Sequence, residues 1–266
     1  MSGDAERTIA DFGEQWTHFR GNDGYYGSLE LFDDLVAPFL RRADVAGARV
    51  ADIGSGTGRI VRMLAAAGAR SIVAVEPSAA MGPLRDNTHD LAERVEYLQA
   101  TGDQLPAGRE LDLVVSFGVL HHIPEPDPVV RAAYRALRPG GRMLVWLYGH
   151  EGNQLYLALS SGLRLVTRRM PHQWLHRLSR TLLPPLDAYI AACRRVRLPM
   201  RDYMVEHLGA LSAEARVLTI YDQLNPQYAR YYKRDEAIAL LARAGFVDVQ
   251  AHHRHGYSWT VVGTRP

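Results

Sequence analysis

The 266-residue sequence has few of the features that indicate a disulfide, a zinc cluster, a membrane span or a nucleic-acid-binding surface. Cys193 is the only cysteine, which excludes an internal disulfide and any cysteine-based zinc cluster. There is no run of 18 apolar residues, and the start of the chain, with Ser2, Asp4 and Glu6, is unlike a signal peptide. We therefore expect a cytoplasmic protein with no stable membrane insertion.

Charge is nearly balanced, and lysine is almost absent. The formal net charge is +2, so the composition does not indicate nucleic acid or an acidic substrate as a partner. Lys233 is the only lysine among 31 basic residues. We attribute this bias to codon usage in a GC-rich genome and give arginine clusters little weight as recognition sites. The length allows one domain with an insertion, or two small domains.

The most informative stretch present is glycine-rich and lies between a strand and a helix. Residues 49–53 are predicted to form a buried strand and residues 59–67 a helix, and Gly54-Ser55-Gly56-Thr57-Gly58 separates them. Glycines at alternate positions allow positive φ angles and a close approach of the backbone to a ligand. The free N–H groups at the start of the helix favour a negatively charged or polar ligand. A glycine-rich turn without a ligand is the alternative.

The spacing of the glycines distinguishes between nucleotide-type ligands. A dinucleotide-binding loop needs G-x-G-x-x-G, which would place its third glycine at 59, where the chain has Arg59. With Asp52 ahead of glycines at 54, 56 and 58, the stretch resembles the first motif of class I S-adenosylmethionine (SAM) methyltransferases. This resemblance implies that SAM is bound by Asp52, Gly54, Ser55, Gly56, Thr57 and Gly58.

Acidic residues follow the second and third predicted strands. Glu76 ends an apolar strand 20 residues after Gly56, a distance that suits a carboxylate accepting hydrogen bonds from both ribose hydroxyls. Support of a helix N-terminus is the structural alternative for Glu76. The resemblance implies that Pro77 adjoins the same site and that Asp103 and Gln104 lie near the adenine, although a Gly-Asp pair is also common in surface turns.

The fourth predicted strand, within residues 111–124, ends in a pair of histidines. In open parallel sheets ligands bind at the carboxyl ends of the strands, and we expect Phe117 to contact the cofactor there. Adjacent side chains cannot both point at one site, so His121 is predicted to face the ligand and His122 to make a loop or N-cap contact. No third ligand at metal spacing lies nearby, so no metal site is predicted.

The alternation of strands and helices up to Tyr148 predicts an α/β fold. The resemblance implies a doubly wound, mostly parallel seven-stranded sheet with strand order 3-2-1-4-5-7-6, an antiparallel last strand and a helical insertion. We divide the chain into an aromatic leader and helix (1–44), a SAM-binding core (45–148), a helical insertion (149–216) and the C-terminal part of the core (217–266). The insertion could cover a hydrophobic acceptor, rest on a membrane surface, or serve as scaffold.

Two aromatic segments outside the core are candidates for binding the methyl acceptor, with plain packing or loop roles as the alternative. The candidate acceptor-binding residues are Trp16, Tyr25 and Tyr26 in the leader and Asn225, Tyr228 and Tyr232 after the insertion. Asp222 is a further candidate for a catalytic role, because a buried carboxylate there could face the sulfonium or an acceptor hydroxyl, whereas a surface one would simply be solvated. An oxygen or carbon acceptor must also lose a proton, for which His121 is the first candidate and His255 the second.

Together these features resemble those of the UbiE-like, or methyltransferase type 11, group, and the resemblance implies a SAM-dependent methyltransferase. It would methylate an oxygen, nitrogen or carbon atom of a small molecule in a biosynthetic pathway, as a monomer or homodimer. The sequence Ser116-Phe117-Gly118 stands where enzymes that methylate nucleic-acid bases carry Asn/Asp-Pro-Pro-Tyr/Phe, so a nucleic-acid acceptor is not expected. A SAM-binding protein without catalysis and an NAD-dependent oxidoreductase are the alternatives.

Overall fold

In a computed structural model, the sheet has the predicted seven strands in the order β3-β2-β1-β4-β5-β7-β6. The structure describes residues 3–18, 20–22, 24–154, 157, 167, 170, 172–224 and 228–266. The strands are β1 Arg49–Ile53, β2 Ser71–Val75, β3 Val95–Leu98, β4 Leu111–Phe117, β5 Leu137–Tyr148, β6 Val247–Arg254 and β7 Ser258–Thr264. Strands β1 to β5 are parallel, and β7 is antiparallel to both β5 and β6. The predicted fold class is confirmed.

Helices connect the strands and cover both faces of the sheet. The helices are α1 Gly3–His18, α2 Leu29–Val36, α3 Arg42–Val45, α4 Arg59–Ala66, α5 Met81–Asn87, α6 Asp127–Ala136, α7 His172–Thr181, α8 Leu183–Cys193, α9 Ala213–Leu224 and α10 Arg234–Ala242. Ser28 caps α2 by accepting a hydrogen bond from the Leu31 N–H (3.1 Å). That helix ends at Val36, because Pro38 disfavours helical geometry at Ala37.

The side chains of β1 alternate between two hydrophobic cores. Val50 faces the core formed with α2 and α4, whereas Ala51 and Ile53 face the core formed with α6 and α10. Because both faces are covered, the central strands are almost entirely apolar. The strand order reverses between β1 and β4, and a crevice forms at the carboxyl ends of strands at such a switch point.

Beyond β5 the described part of the chain is mainly helical up to Leu224. Helix α9 packs against α7 and runs without a break through residue 216, where the sequence had suggested the end of the insertion. Residues 228–231 are not helical, and Tyr232 pairs with Gly149 in a single parallel bridge. The apolar helical face expected within 155–166 and the candidate Asn225 lie outside the described residues.

Two properties of the described residues bear on function. Within them, no helix combines the length and apolar character needed to span a membrane. No group of three or more His, Cys, Asp or Glu side chains suited to holding a metal ion occurs in the same part of the chain.

Candidate functional site

A cavity of about 470 Å³ lies at the carboxyl ends of β1, β2 and β4. This volume is within the range of small-molecule and cofactor sites. Of the predicted site residues, the wall contains Trp16, Tyr26, Gly54, Ser55, Gly56, Thr57, Glu76, Pro77, Asp103 and Phe117. The sheet, the leader and the glycine-rich loop therefore meet at one site.

The glycine-rich loop needs glycine where it touches its neighbours. Gly54 and Gly56 have φ angles of 79° and 51°, in the left-handed region that other residues rarely adopt. A Cβ on Gly54 would overlap the side chain of Val119, and one on Gly56 would lie 3.4 Å from the indole nitrogen of Trp16. The loop is thus held closely between the segment after β4 and the leader.

Glu76 lies on the cavity wall and is bonded to the loop. Its side chain is 5% exposed, and its Oε2 and Oε1 accept hydrogen bonds from the Gly56 and Ser78 N–H groups, each at 2.9 Å. A carboxylate oxygen can accept more than one hydrogen bond, so both oxygens keep capacity for a ligand hydroxyl. The geometry accommodates both interpretations of Glu76, because the same carboxylate supports the loop and faces the cavity.

Some predicted cofactor-binding residues lie behind or beside the wall. Asp52 is 1% exposed and its Oδ2 has no hydrogen-bond partner among the residues described; burial raises the pKa of this carboxyl to about 7. Gly58 precedes α4 and packs against Leu84. The Gln104 side chain accepts a hydrogen bond from the Thr101 N–H (3.2 Å) and so caps its own turn. Asp52, Gly58 and Gln104 therefore shape the loops around the cavity and are not among the residues that line it.

The leader covers the cavity with one face of α1. Thr8, Ile9, Phe12 and Trp16 line the wall at helical spacing. Asn22 fixes the leader to the loop, because its amide donates to the Thr57 carbonyl (3.1 Å) while the Thr57 hydroxyl donates to Asn22 Oδ1 (2.7 Å).

The two leader tyrosines point to different places. Tyr26 lines the wall, and the Arg59 guanidinium carbon lies 4.2 Å from the centre of its ring. Tyr25 packs instead against the hydrophobic core. The acceptor-binding role predicted for Tyr25 therefore has no support in its position.

The histidine pair is reversed relative to the sequence prediction. His121 is fully buried, and its ring stacks on Tyr148 with centroids 3.8 Å apart, whereas His122 lies on the cavity wall. His122 Nδ1 is 2.9 Å from the Tyr228 carbonyl oxygen. The position of His121 gives no support to the prediction that it faces the ligand, because the turn Leu120–His122 directs the first ring into the aromatic packing at the end of β5.

His255 lies at a second, separate cluster. It follows β6, and its Nε2 is 2.8 Å from Asp34 Oδ1, while its Nδ1 is 3.5 Å from Glu206. Arg254, which is 2% exposed, also binds Asp34. Burial raises the pKa of Asp34, but the hydrogen bond from His255 and the charge of Arg254 outweigh it and hold the pKa at about 2. The expectation that His255 faces the same cavity is not supported.

Asp222 contacts the leader instead of the cavity. Its Oδ1 accepts a hydrogen bond from the Gln15 amide, which joins α9 to α1. Burial raises the pKa of Asp222 to about 7, and both the Gln15 bond and the charge of Arg59 oppose that shift. Arg59 also lines the cavity, so a wall residue supplies the charge that acts on Asp222.

The segment after α9 contributes its backbone to the site. Tyr232 is 1% exposed and packs in the sheet core, where burial raises the pKa of its hydroxyl to about 12. Its N–H donates to the Tyr148 carbonyl (2.8 Å), and the Arg230 N–H donates to the His121 carbonyl (2.8 Å). A direct acceptor contact by the Tyr232 side chain is not supported, and Tyr228 reaches the site through its carbonyl group.

Sequence reasoning missed several wall residues. Thr8 and Ile9 could have been found from the helical spacing that they share with Phe12 and Trp16. Val119 has no distinctive pattern, because its role follows from the space above Gly54. His122 could not be separated from His121 by sequence alone.

Comparison with known proteins identifies a family model that matches part of the chain. Residues 51–145 match the model described as "Methyltransferase domain". The match spans the glycine-rich loop, Glu76, Asp103 and the histidine pair.

Sequence relatives and a solved structure extend the comparison. The ubiquinone biosynthesis O-methyltransferase of Aromatoleum aromaticum is 34% identical over 105 residues, which are 39% of this chain and 45% of the relative. The protein of the same name from Pseudomonas putida strain GB-1 is 28% identical over 132 residues, 49% of this chain and 56% of the relative. The chain thus matches about half the length of each.

Magnesium protoporphyrin IX methyltransferase from Synechocystis PCC 6803, solved with bound SAH, superposes with a TM-score of 0.55 at 17% identity. That comparison covers 95% of this chain and 94% of the other. At this level of identity the likeness supports the fold.

Proposed function

We propose that this protein, which carries a methyltransferase domain of the class I SAM-dependent type over residues 51–145, transfers a methyl group from SAM to a small molecule. The observation that carries the proposal is the position of Glu76. Its carboxylate lies on the wall of a cofactor-sized cavity and is bonded to a glycine loop that a Cβ would distort.

The cavity fits SAM by the chemistry of its wall. Glu76 offers acceptors for the ribose hydroxyls, Asp103 for the adenine amino group, and the loop around Gly56 gives backbone access to the amino-acid part. SAM supplies a methyl group on a positively charged sulfur, which transfers to a nucleophile in line with the carbon–sulfur bond. The protein's own contribution is to position the acceptor and exclude water.

The leader gives the acceptor side an aromatic surface. Phe12, Trp16 and Tyr26 lie on the wall next to the loop and offer flat apolar contacts. Asp222 binds Gln15 of α1 and, in our proposal, positions the acceptor through the leader helix that it holds. A small aromatic or otherwise apolar acceptor with a polar substituent suits this surface.

An oxygen acceptor is favoured over nitrogen or carbon. The two relatives described above are named ubiquinone biosynthesis O-methyltransferases. A histidine on the wall also provides a group able to remove a hydroxyl proton. The activity proposed here is therefore small-molecule O-methylation within a biosynthetic pathway.

Calorimetric titration and a turnover assay test this function. We expect SAM and S-adenosylhomocysteine to bind and NADH not to bind. With a panel of aromatic alcohols, amines and carbon nucleophiles, we expect S-adenosylhomocysteine and a methylated product to form in equal amounts. Binding of NADH alone would indicate an oxidoreductase, and SAM binding without turnover across the panel would indicate a non-catalytic SAM-binding protein.

A further inference from the structure

Arg59 brings a positive charge to a cavity wall whose carboxylates are all negative. Among the wall residues that the structure describes, it is the only arginine or lysine, whereas Glu76, Asp103 and Glu125 are acidic. Its guanidinium carbon lies 4.2 Å from the centre of the Tyr26 ring, and Tyr26 also lines the wall. The charge is therefore held on the aromatic side of the cavity, which we assign to the acceptor.

Most of the N–H donors of Arg59 have no acceptor among the described residues. An arginine side chain carries five N–H groups. Here one of them makes a long hydrogen bond, 3.4 Å from Nη1 to the Tyr26 carbonyl oxygen. None of the ion pairs formed within the described part of the chain includes Arg59. Arg62, three residues further along α4, differs in this respect, because it pairs with Asp90 at 2.7 Å.

The acidic groups that interact electrostatically with Arg59 do not neutralise it fully. Burial raises the pKa of both Asp52 and Asp222 to about 7, although the charge of Arg59 opposes each shift. At neutral pH each of these carboxyl groups is therefore partly protonated. Burial also raises the pKa of the Tyr26 hydroxyl, which stays uncharged. An anionic group on a ligand would complete the charge balance at this part of the wall.

SAM has other donors available for its own carboxylate. In the proposed function its amino-acid part lies at the loop around Gly56. The first N–H groups of α4, which begins directly after this loop, have no partner within the helix. These backbone donors suit the carboxylate of SAM and leave the guanidinium of Arg59 for the second substrate.

We propose that Arg59 binds a carboxylate of the methyl acceptor, which makes the acceptor a hydroxylated aromatic acid instead of a neutral phenol. This rests on the proposed function and deepens it by naming the substrate class. The planar guanidinium can donate two parallel hydrogen bonds to the two oxygens of a carboxylate. Arg59 thereby orients the acceptor, while Phe12, Trp16 and Tyr26 contact its ring.

Matched pairs of acids and amides test this preference without turnover. The wild-type protein is first saturated with S-adenosylhomocysteine, which lacks the sulfonium charge that could attract an acid. Calorimetric titrations at neutral pH then compare para-hydroxybenzoate with para-hydroxybenzamide, and para-coumarate with its amide. A charge-assisted hydrogen bond corresponds to a roughly 10- to 150-fold gain in affinity. We therefore expect the acid of at least one pair to bind at least tenfold more tightly than its amide.

Arg59→Met removes the guanidinium and keeps an unbranched apolar side chain. In this variant we expect the acid and the amide to bind within about threefold of each other, and S-adenosylhomocysteine to bind within about threefold of its wild-type affinity. Arg59→Lys keeps the charge but loses the paired donors, so it should retain an intermediate preference for the acid. The ratio of acid to amide affinity is measured on one variant at a time, and it does not depend on how much of the sample is folded.

Arg85→Met is the matched control. The guanidinium carbon of Arg85 also lies over a tyrosine ring, 5.4 Å from the centre of Tyr97. Arg85 is exposed, however, and is not among the described wall residues. We expect Arg85→Met to keep the full preference for the acid.

Three results would overturn the proposal. The first is that in no pair does the acid bind the wild-type protein more tightly than its amide. The second is a full preference for the acid in folded Arg59→Met. The third is that Arg59→Met weakens the binding of S-adenosylhomocysteine at least tenfold but not that of methylthioadenosine, which lacks the amino-acid part, because Arg59 would then bind the carboxylate of SAM. Failure of SAM and S-adenosylhomocysteine to bind the wild-type protein would instead overturn the proposed function.

Discussion

The substitution Glu76→Gln tests the cofactor site most directly. Each oxygen of the Glu76 carboxylate accepts one backbone N–H at 2.9 Å, from Gly56 and from Ser78. Glutamine keeps one oxygen, but its NH₂ group must then face the other backbone donor. The substitution also removes the negative charge to which the ribose hydroxyls of SAM would donate hydrogen bonds.

The magnitude follows from the loss of one charge-assisted hydrogen bond. Such bonds contribute about 1.5–3 kcal/mol, which corresponds to a roughly 10- to 150-fold weaker affinity for SAM. Calorimetric titration with SAM, below the thermal transition of the variant, measures this loss. Because the same carboxylate supports the loop, we also expect a lower unfolding temperature in the absence of ligand.

Glu125→Gln provides the control for Glu76→Gln. Glu125 is an exposed carboxylate on the same cavity wall. The identical change of charge there should alter SAM affinity by less than about threefold. If Glu76→Gln also left the affinity unchanged, the assignment of the ribose site, and with it the cofactor site, would be wrong.

Three further substitutions test the surroundings of the site. Asp222→Asn should lower turnover at least tenfold, about 1.4 kcal/mol in the transition state, and leave SAM affinity within about threefold. Gly54→Ala should weaken SAM binding and destabilise the fold, because its Cβ would overlap Val119. In Asp34→Asn the acid dependence of stability should shrink: the folded-state pKa of Asp34, about 2, lies below its ordinary value of 3.8. The stability that its ionised form contributes, about 2 kcal/mol, is present above pH 4 and is lost between about pH 4 and pH 2.

Each of these has its own control and its own contrary result. If Asp222→Asn lost SAM binding in parallel with turnover, the residue would belong to the cofactor site. Gly108→Ala isolates the backbone cost, since Gly108 also has a positive φ (67°) but open space around it, and it should leave SAM affinity intact. For Asp34→Asn, urea unfolding between pH 2 and pH 7 gives the measurement. An unchanged pH dependence would mean that Asp34 contributes nothing to it.

The sheet and the cofactor loop were predictable because they depend on short-range patterns. The glycine spacing, the acid 20 residues after Gly56 and the apolar strands each carry a local physical requirement. Strand order and the antiparallel position of β7 came from the resemblance, and the structure confirms both. The Leu29 helix also begins where its capping serine predicts.

The direction of individual side chains, and the distance of each strand from the site across the sheet, were not predictable in the same way. The hairpin that carries His255 does end at the carboxyl edge of the sheet, as expected. But β6 is the outermost strand, four steps from β1 and so roughly 19 Å away at the usual strand spacing. For His121 and His122, the choice depends on how one short turn meets the aromatic rings of β5. Tyr232 combines a strand bridge with core packing that only the folded chain reveals.

The bond between Gln15 and Asp222 joins residues that are 207 positions apart. During synthesis, therefore, the leader leaves the ribosome long before its partner helix exists. Contacts of such sequence separation slow folding, because a long loop must close before they stabilise anything. The contact between α1 and α9 consequently forms at a late step of folding, and a nascent chain that ends before α9 would lack the carboxyl group of Asp222.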